Sequence, residues 1–178
     1  MGTTSKSLWL LINILGGIAV IGSYILGFRS RADAFTVLWG GVPERVRVFY
    51  TAGMVLAALG YFAFGIYLLI LAPGEISVFG RFGFGMFGLI FLLILLPSAL
   101  WMPLTLLAVA RASRALAWLV RADLALVGAG SLALFLALWN LQAPRLGWLH
   151  MIAVIGSLAF CLQTVVLDAI IWSASFHV

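Results

Sequence analysis

Residues 82–110 read FGFGMFGLIFLLILLPSALWMPLTLLAVA, a run without one Asp, Glu, Lys, Arg or His. A helix of this length spans about 44 Å, more than the roughly 30 Å hydrocarbon core of a bilayer. Inside hydrocarbon every backbone N–H and C=O must find its partner within the chain, so such a segment is predicted to be a transmembrane helix. Pro97 and Pro103 each remove a backbone donor and predict a kink, which opens space between helices.

Four further apolar runs flank it, at Leu8–Phe28, Val48–Ala72, Ala115–Leu141 and Trp148–Ser173. The expected fold is therefore all-α, a single integral membrane bundle of five transmembrane helices covering residues 1–178. The composition agrees: 65% of the 178 residues are hydrophobic and 8% charged, with a mean hydropathy of +1.24, against roughly 45–50% apolar and 25% charged in soluble domains. The lipid bilayer is the first partner. The run from Leu8 is longer than the apolar part of a cleaved signal peptide and is followed directly by Arg29 and Arg31, so it reads as a retained helix.

The net charge of +5 does not mark a nucleic-acid binder, because the basic residues are spread over short loops and helix ends. Their distribution predicts the topology. One side collects Arg29, Arg31, Arg45, Arg47, Arg111, Arg114 and Arg121, the other Lys6, Arg81 and Arg145. The positive-inside rule then places the 29–47 loop and the C-terminus in the cytoplasm and the N-terminus outside.

Small residues suggest the packing. Ala125, Ala129, Ala133 and Ala137 recur every fourth position, a stripe that lets another backbone approach closely, so the fourth helix is expected to be central. Ala19, Ser23 and Gly27 repeat the pattern in the first helix, Gly53 and Ala57 in the second. The Phe79–Gly85 alternation of Phe and Gly reads as an interfacial helix start or a ligand-facing turn. Cys161 lies inside the last run, so an intrachain disulfide or Cys cluster is excluded.

Ionisable residues inside a span are costly and mark functional candidates. Arg121 and Asp168 are each about five residues from the same end of their helices, at similar depth, roughly 7 Å in. They form either an intramembrane ion pair that fixes the fourth helix to the fifth or, with Asp123, a polar site; alternatively Arg121 snorkels to the interface. Trp9, Trp139, Trp148 and Trp172 lie at helix ends, where an aromatic belt is expected. Trp39 is in the long loop and Trp118 near a helix start. Trp101 lies deeper, beside Pro103, as a pocket wall or a packing residue. The two histidines, His150 and His177, sit at the edge of the last span and in the tail, which excludes a bis-histidine haem within one chain and leaves a single ligand from His150. No HExxH, GxSxG, Walker or paired-carboxylate pattern is present, so the chain is not expected to be an enzyme.

Ala58–Tyr61 with Tyr67, Trp101 with Pro103, Trp118 followed by Asp123, the Val127–Gly130 run, Trp139, Pro144, Ala159–Phe160 and Trp172 together resemble, in order, the translocator protein family, also called the tryptophan-rich sensory proteins. Trp39, in Leu38–Pro43, occupies the place of that family's Trp-x-Pro-Pro element. The resemblance covers roughly residues 50–172. It implies a five-helix bundle that binds a porphyrin, a sterol or a related apolar molecule at one end, beneath the first loop. Carried over residue by residue, it marks Trp39, Trp101 and Asp123 as ligand-binding. The competing expectation is a non-catalytic accessory subunit, packing as a homodimer or in a larger membrane complex through its small-residue faces.

Overall fold

The structure, a computed structural model, describes residues 2–142 and 147–178; Pro144 and Arg145 lie outside the described residues. Five long apolar helices form an all-α bundle. They are α1 (Gly2–Ser30), α3 (Glu44–Ile70), α4 (Gly85–Ala110), α5 (Arg114–Trp139) and a last span made of α6 (Gly147–Cys161), a π-helical stretch (Leu162–Trp172) and the single turn α7 (Ser173–Ser175). The 29–47 connection is shorter than expected because α1 and α3 extend into it. What remains contains the five-residue helix α2 (Ala34–Leu38).

Helices α1, α4, α5, α6 and α3 pack in that order around the bundle. Helices α1 and α3 meet through Tyr61 Oη, which donates to Asn13 Oδ1 at 2.7 Å. The arginine-rich end carries α2, the Arg111–Ser113 turn and the C-terminus. At the opposite, hairpin end, β1 (Ser77–Val78) pairs antiparallel with β2 (Leu141–Gln142), and Lys6 Nζ donates to Leu71 O at 2.9 Å. The Phe-Gly stretch is a tight turn and not a helix start. Phe79 and Gly80 adopt φ of 53° and 70°, Val78 and Phe82 exchange backbone hydrogen bonds, and the helix begins only at Gly85.

Glycine sets the closest helix crossing. A Cβ on Gly60 of α3 would collide with the Gly156 carbonyl of α6, and one on Gly156 would stand 2.8 Å from Gly60 Cα. The same face of α3 carries Gly53 against Gln163 and Leu167 and buries Ala57, as its small residues suggested. The alanine stripe of α5 does not behave this way. Ala125 and Ala129 are exposed and Ala133 is half-buried, leaving Ala137 alone of the four in the core. The packed face of α5 is instead the one bearing Asp123, Val127, Gly128, Ser131 and Leu134, joined to the last span by Ser131 Oγ and Thr164 Oγ1 at 2.5 Å. Ala19 is likewise exposed, and α1 meets α4 through Gly16 against Leu95 and Gly27 against Met102.

The hairpin half is filled with aromatic rings. Trp9, Tyr61, Phe64, Phe91 and Phe160 make edge-to-face and tilted contacts at centroid distances of 5.4–6.2 Å, the geometry that ring quadrupoles favour. Trp9 is 3% exposed, so it belongs to this core and not to an interfacial belt. Trp139 and Trp148, at their helix ends, are exposed.

Candidate functional site

The arginine-rich half is built differently, with polar groups among its rings. Helix geometry places Trp101 and Asp123 each about 14 Å in from that end of their helices, with Tyr50 and Asp168 of α3 and the last span lying deeper, near Gly128. Contacts confirm the level of the first two. Gly130 of α5 abuts Ile94 of α4, and counting back along antiparallel helices sets Asp123 opposite Trp101. The Trp101 ring is 5.9 Å from Tyr24 and 5.6 Å from Trp172, edge to face. Trp172 stacks on Phe176 at 4.5 Å. Asp168 is half-buried on the last span, next to Leu167, whose carbonyl accepts from Tyr50 of α3.

The π-helical stretch gives that face its composition. Five residues along an α-helix turn about 500°, which leaves i and i+5 roughly 140° apart; the wider π turn brings them together. Gln163 Nε2 accordingly donates to Asp168 Oδ1 at 2.9 Å, and Ser173 Oγ donates to the Asp168 carbonyl at 3.3 Å. Tyr50 Oη donates to the Leu167 carbonyl within the same stretch.

The expected Arg121–Asp168 pair does not form. Arg121 Nε and Nη2 donate to the carbonyls of Ser173 and Phe176 at 3.0 and 2.6 Å, with the guanidinium 5.0 Å from the Trp118 ring centre. The cation thus caps the C-terminal carbonyls of the last span, where the helix dipole favours it, while Asp168 takes the Gln163 amide. Among the described residues the one ion pair is Arg31–Asp33 at 2.8 Å, where the Arg31 guanidinium holds the Asp33 carboxyl below its usual range.

A short cover closes this end. Trp172 Nε1 donates to Leu38 O at 2.8 Å, tying α2 to the last span; Trp172, 4% exposed, is a buried tether and not an interfacial anchor. Trp39 follows α2, half-buried, edge to face with Tyr50 at 6.1 Å and beneath the Arg47 guanidinium at 5.2 Å. The Gly40–Gly41 pair lets the chain leave α2 against the C-terminus. Gly40 takes φ of +53°, and a Cβ on Gly41 would strike the Ser175 carbonyl.

Three polar atoms in this half are buried with no hydrogen-bond partner among the described residues: Trp101 Nε1, Asp123 Oδ2 and Gln163 Oε1. Asp123 and Gln163 are each 5% exposed. An unsatisfied buried donor or acceptor costs about 1–3 kcal/mol, and native cores hold few of them. Trp39, Trp101 and Asp123 are therefore brought to one end and, for the latter two, to one level, while the rings of Tyr24, Trp101, Trp172 and Phe176 fill the space that the Pro97 and Pro103 reading left open. Helix α4 itself is continuous through both prolines. Two surface depressions, about 660 Å³ at the hairpin end beside Phe82 and Leu89 and about 390 Å³ beside Arg121 and His177, are not lined by Trp39, Trp101 or Asp123. Gln163, Tyr24 and Tyr50 are residues of this half that the sequence reading did not single out, and Trp172 is one that it read as an interfacial anchor. A lone glutamine inside an apolar span was the available signal, since an uncharged polar group in hydrocarbon seeks a partner. No protein-family model, curated protein or solved structure matches the chain.

Proposed function

We propose that the protein binds an apolar, ring-bearing small molecule in the arginine-rich half of the bundle, beneath the cover formed by α2 and Trp39, and that this half faces the cytoplasm. The observation that carries the reading is the pair of buried, unpaired polar atoms on Trp101 and Asp123, at a level where the rings of Tyr24 and Trp172 also lie. A ligand that slides among the rings and meets those atoms satisfies groups the protein leaves unpaired. Access requires α2, Trp172 and Phe176 to move, since their packing closes the end. The resemblance to the translocator proteins supports the same end of the bundle and makes porphyrins and sterols the first compounds to test. Trp101 is the aromatic wall, Asp123 a polar contact and Trp39 part of the cover.

The test is a titration of the purified protein in nanodiscs with protoporphyrin and with cholesterol, followed by tryptophan fluorescence. Saturable quenching that Trp101→Ala weakens several-fold is the expected result. Absence of saturation with every probe in the wild type refutes it. For orientation, a cysteine placed at Thr36 should resist a membrane-impermeant thiol reagent added outside sealed cells; efficient labelling reverses the topology.

A second reading, an accessory subunit or homodimer, draws on Ala125 and Ala129. They lie exposed on α5, where small side chains allow another helix to approach. Recovery only as part of a larger assembly, without ligand binding, would favour it.

A further inference from the structure

We infer that the depression between the start of α5 and the end of the last span binds the phosphate of an anionic phospholipid. It is separate from the interior level of Trp101 and Asp123 and does not depend on a ligand there. Its volume is about 390 Å³, and Arg114, Trp118, Arg121, Ser173 and His177 are among the residues that line it, with no Asp or Glu. Among the described residues no carboxylate stands within 4.0 Å of either guanidinium. The other arginines of this end are placed differently. Arg31 pairs with Asp33, Arg47 lies over Trp39, and Arg29, Arg45 and Arg111 are exposed outside the depression.

Arg121 is half-buried, and its two hydrogen bonds to the Ser173 and Phe176 carbonyls fix the side chain without cancelling its charge. A guanidinium carries five N–H donors, so three remain for a ligand. A partly desolvated cation with no counter-charge is costly, and an anion beside it offsets that cost. Arg114 is exposed and opens α5 just after its N-cap, Ser113, where the helix dipole also favours an anion. The setting makes that anion a lipid head group. Trp118 is 69% exposed, with the Arg121 guanidinium over its ring, and a tryptophan at the end of a span lies at head-group level. Below it Leu119, Ala122 and Leu126, exposed on one face of α5, give an acyl chain an apolar track. Basic pockets between transmembrane helices take anionic head groups, whereas the ammonium of a zwitterionic head group is repelled by the same arginines.

The experiment titrates the full chain, in an uncharged detergent, with phosphatidylglycerol and with phosphatidylcholine of the same acyl chains, and counts bound lipid by native mass spectrometry. Phosphatidylglycerol should bind at least about tenfold more tightly than phosphatidylcholine, and inorganic phosphate at the same concentration should not displace it. Arg114→Gln should weaken phosphatidylglycerol binding about fivefold. Arg29→Gln, which removes an exposed charge from the same end but outside the depression, should change it by less than about twofold. Circular dichroism of each variant separates lost binding from lost folding, and the wild-type comparison of the two lipids decides the matter even where a variant fails to fold. Equal affinity for the two lipids, or a loss from Arg114→Gln no larger than that from Arg29→Gln, overturns the inference. Displacement by inorganic phosphate also overturns it, and names the free anion as the occupant.

Discussion

The Gly60–Gly156 crossing sets the spacing of α3 and α6, and Gly60→Ala tests it with one methyl group. The added carbon would collide with the Gly156 carbonyl oxygen and stand 3.0 Å from Gly156 Cα. Both obstacles are backbone, so no rotamer change relieves them and the helices must separate. Overpacking of this kind costs about 1–3 kcal/mol, with the upper part of the range expected where a main chain must move. Against that, alanine is favoured over glycine in a helix interior by about 1 kcal/mol. The net loss is then about 1–2 kcal/mol, which for a chain of this length corresponds to a fall of about 2–8 °C in melting temperature. Gly65 on the same helix is the internal control, because a Cβ there meets nothing within 4 Å, and Gly65→Ala should leave the midpoint unchanged or raised. The assay is thermal unfolding in one detergent, read by circular dichroism. If Gly60→Ala melts with Gly65→Ala, the two backbones are not in contact and the argument for the crossing fails.

Two other perturbations follow from neighbouring atoms. Ala129→Leu should change thermal stability by less than about 0.5 kcal/mol, because Ala129 is exposed, whereas Gly130→Ala, one residue on, should destabilise measurably because its Cβ would stand 2.8 Å from Ile94 Cγ1; equal effects would contradict the facing of α5. Trp172→Phe removes the hydrogen bond to Leu38 O and should cost about 1 kcal/mol while speeding hydrogen exchange across residues 34–39; unchanged exchange there would show that α2 is held by other contacts.

The five spans were legible because hydrocarbon leaves a chain no alternative. A run such as 82–110 can be neither a loop nor a lone strand at that depth. What faces what was far less legible, and α5 shows why. In a soluble helix the polar face announces the buried one, but a span is apolar all round, so the periodic contrast that fixes rotation is missing. The alanine spacing at 125, 129, 133 and 137 was the most regular pattern available, and it marks a face that this chain leaves largely uncovered. The true packing face is betrayed by its polar members, Asp123 and Ser131, which are expensive in lipid and therefore turn inward. The same logic applies to Trp9 and Trp172. Position near a helix end suggested a belt, whereas the ring contacts and the Trp172 hydrogen bond place both inside.

The candidate site was legible in its residue types and not in its pairing. Depth counting put Arg121 and Asp168 at the same level, but Arg121 meets Ser173 and Phe176 while Gly128 abuts Ala169, which sets Asp168 more than a turn deeper than Arg121. A count at 100° and 1.5 Å per residue cannot anticipate the π-helical stretch from Leu162 to Trp172, which brings Gln163 beneath Asp168. That change bears on the proposed site. Had Asp168 met Arg121, this end of the bundle would be electrically closed, with each charge answered inside the protein. With Arg121 spent on main-chain carbonyls, Asp168 is held by a neutral amide whose own oxygen is left over, and Asp123 keeps an unmatched oxygen at the level of Trp101. Among the described residues the hairpin half, where rings pack on rings, buries the donor Trp9 Nε1 without a partner but no comparable set of acceptors. The asymmetry between the halves thus follows from where the chain places its few polar side chains, and it is the ground for proposing a ligand site at the end that α2 covers.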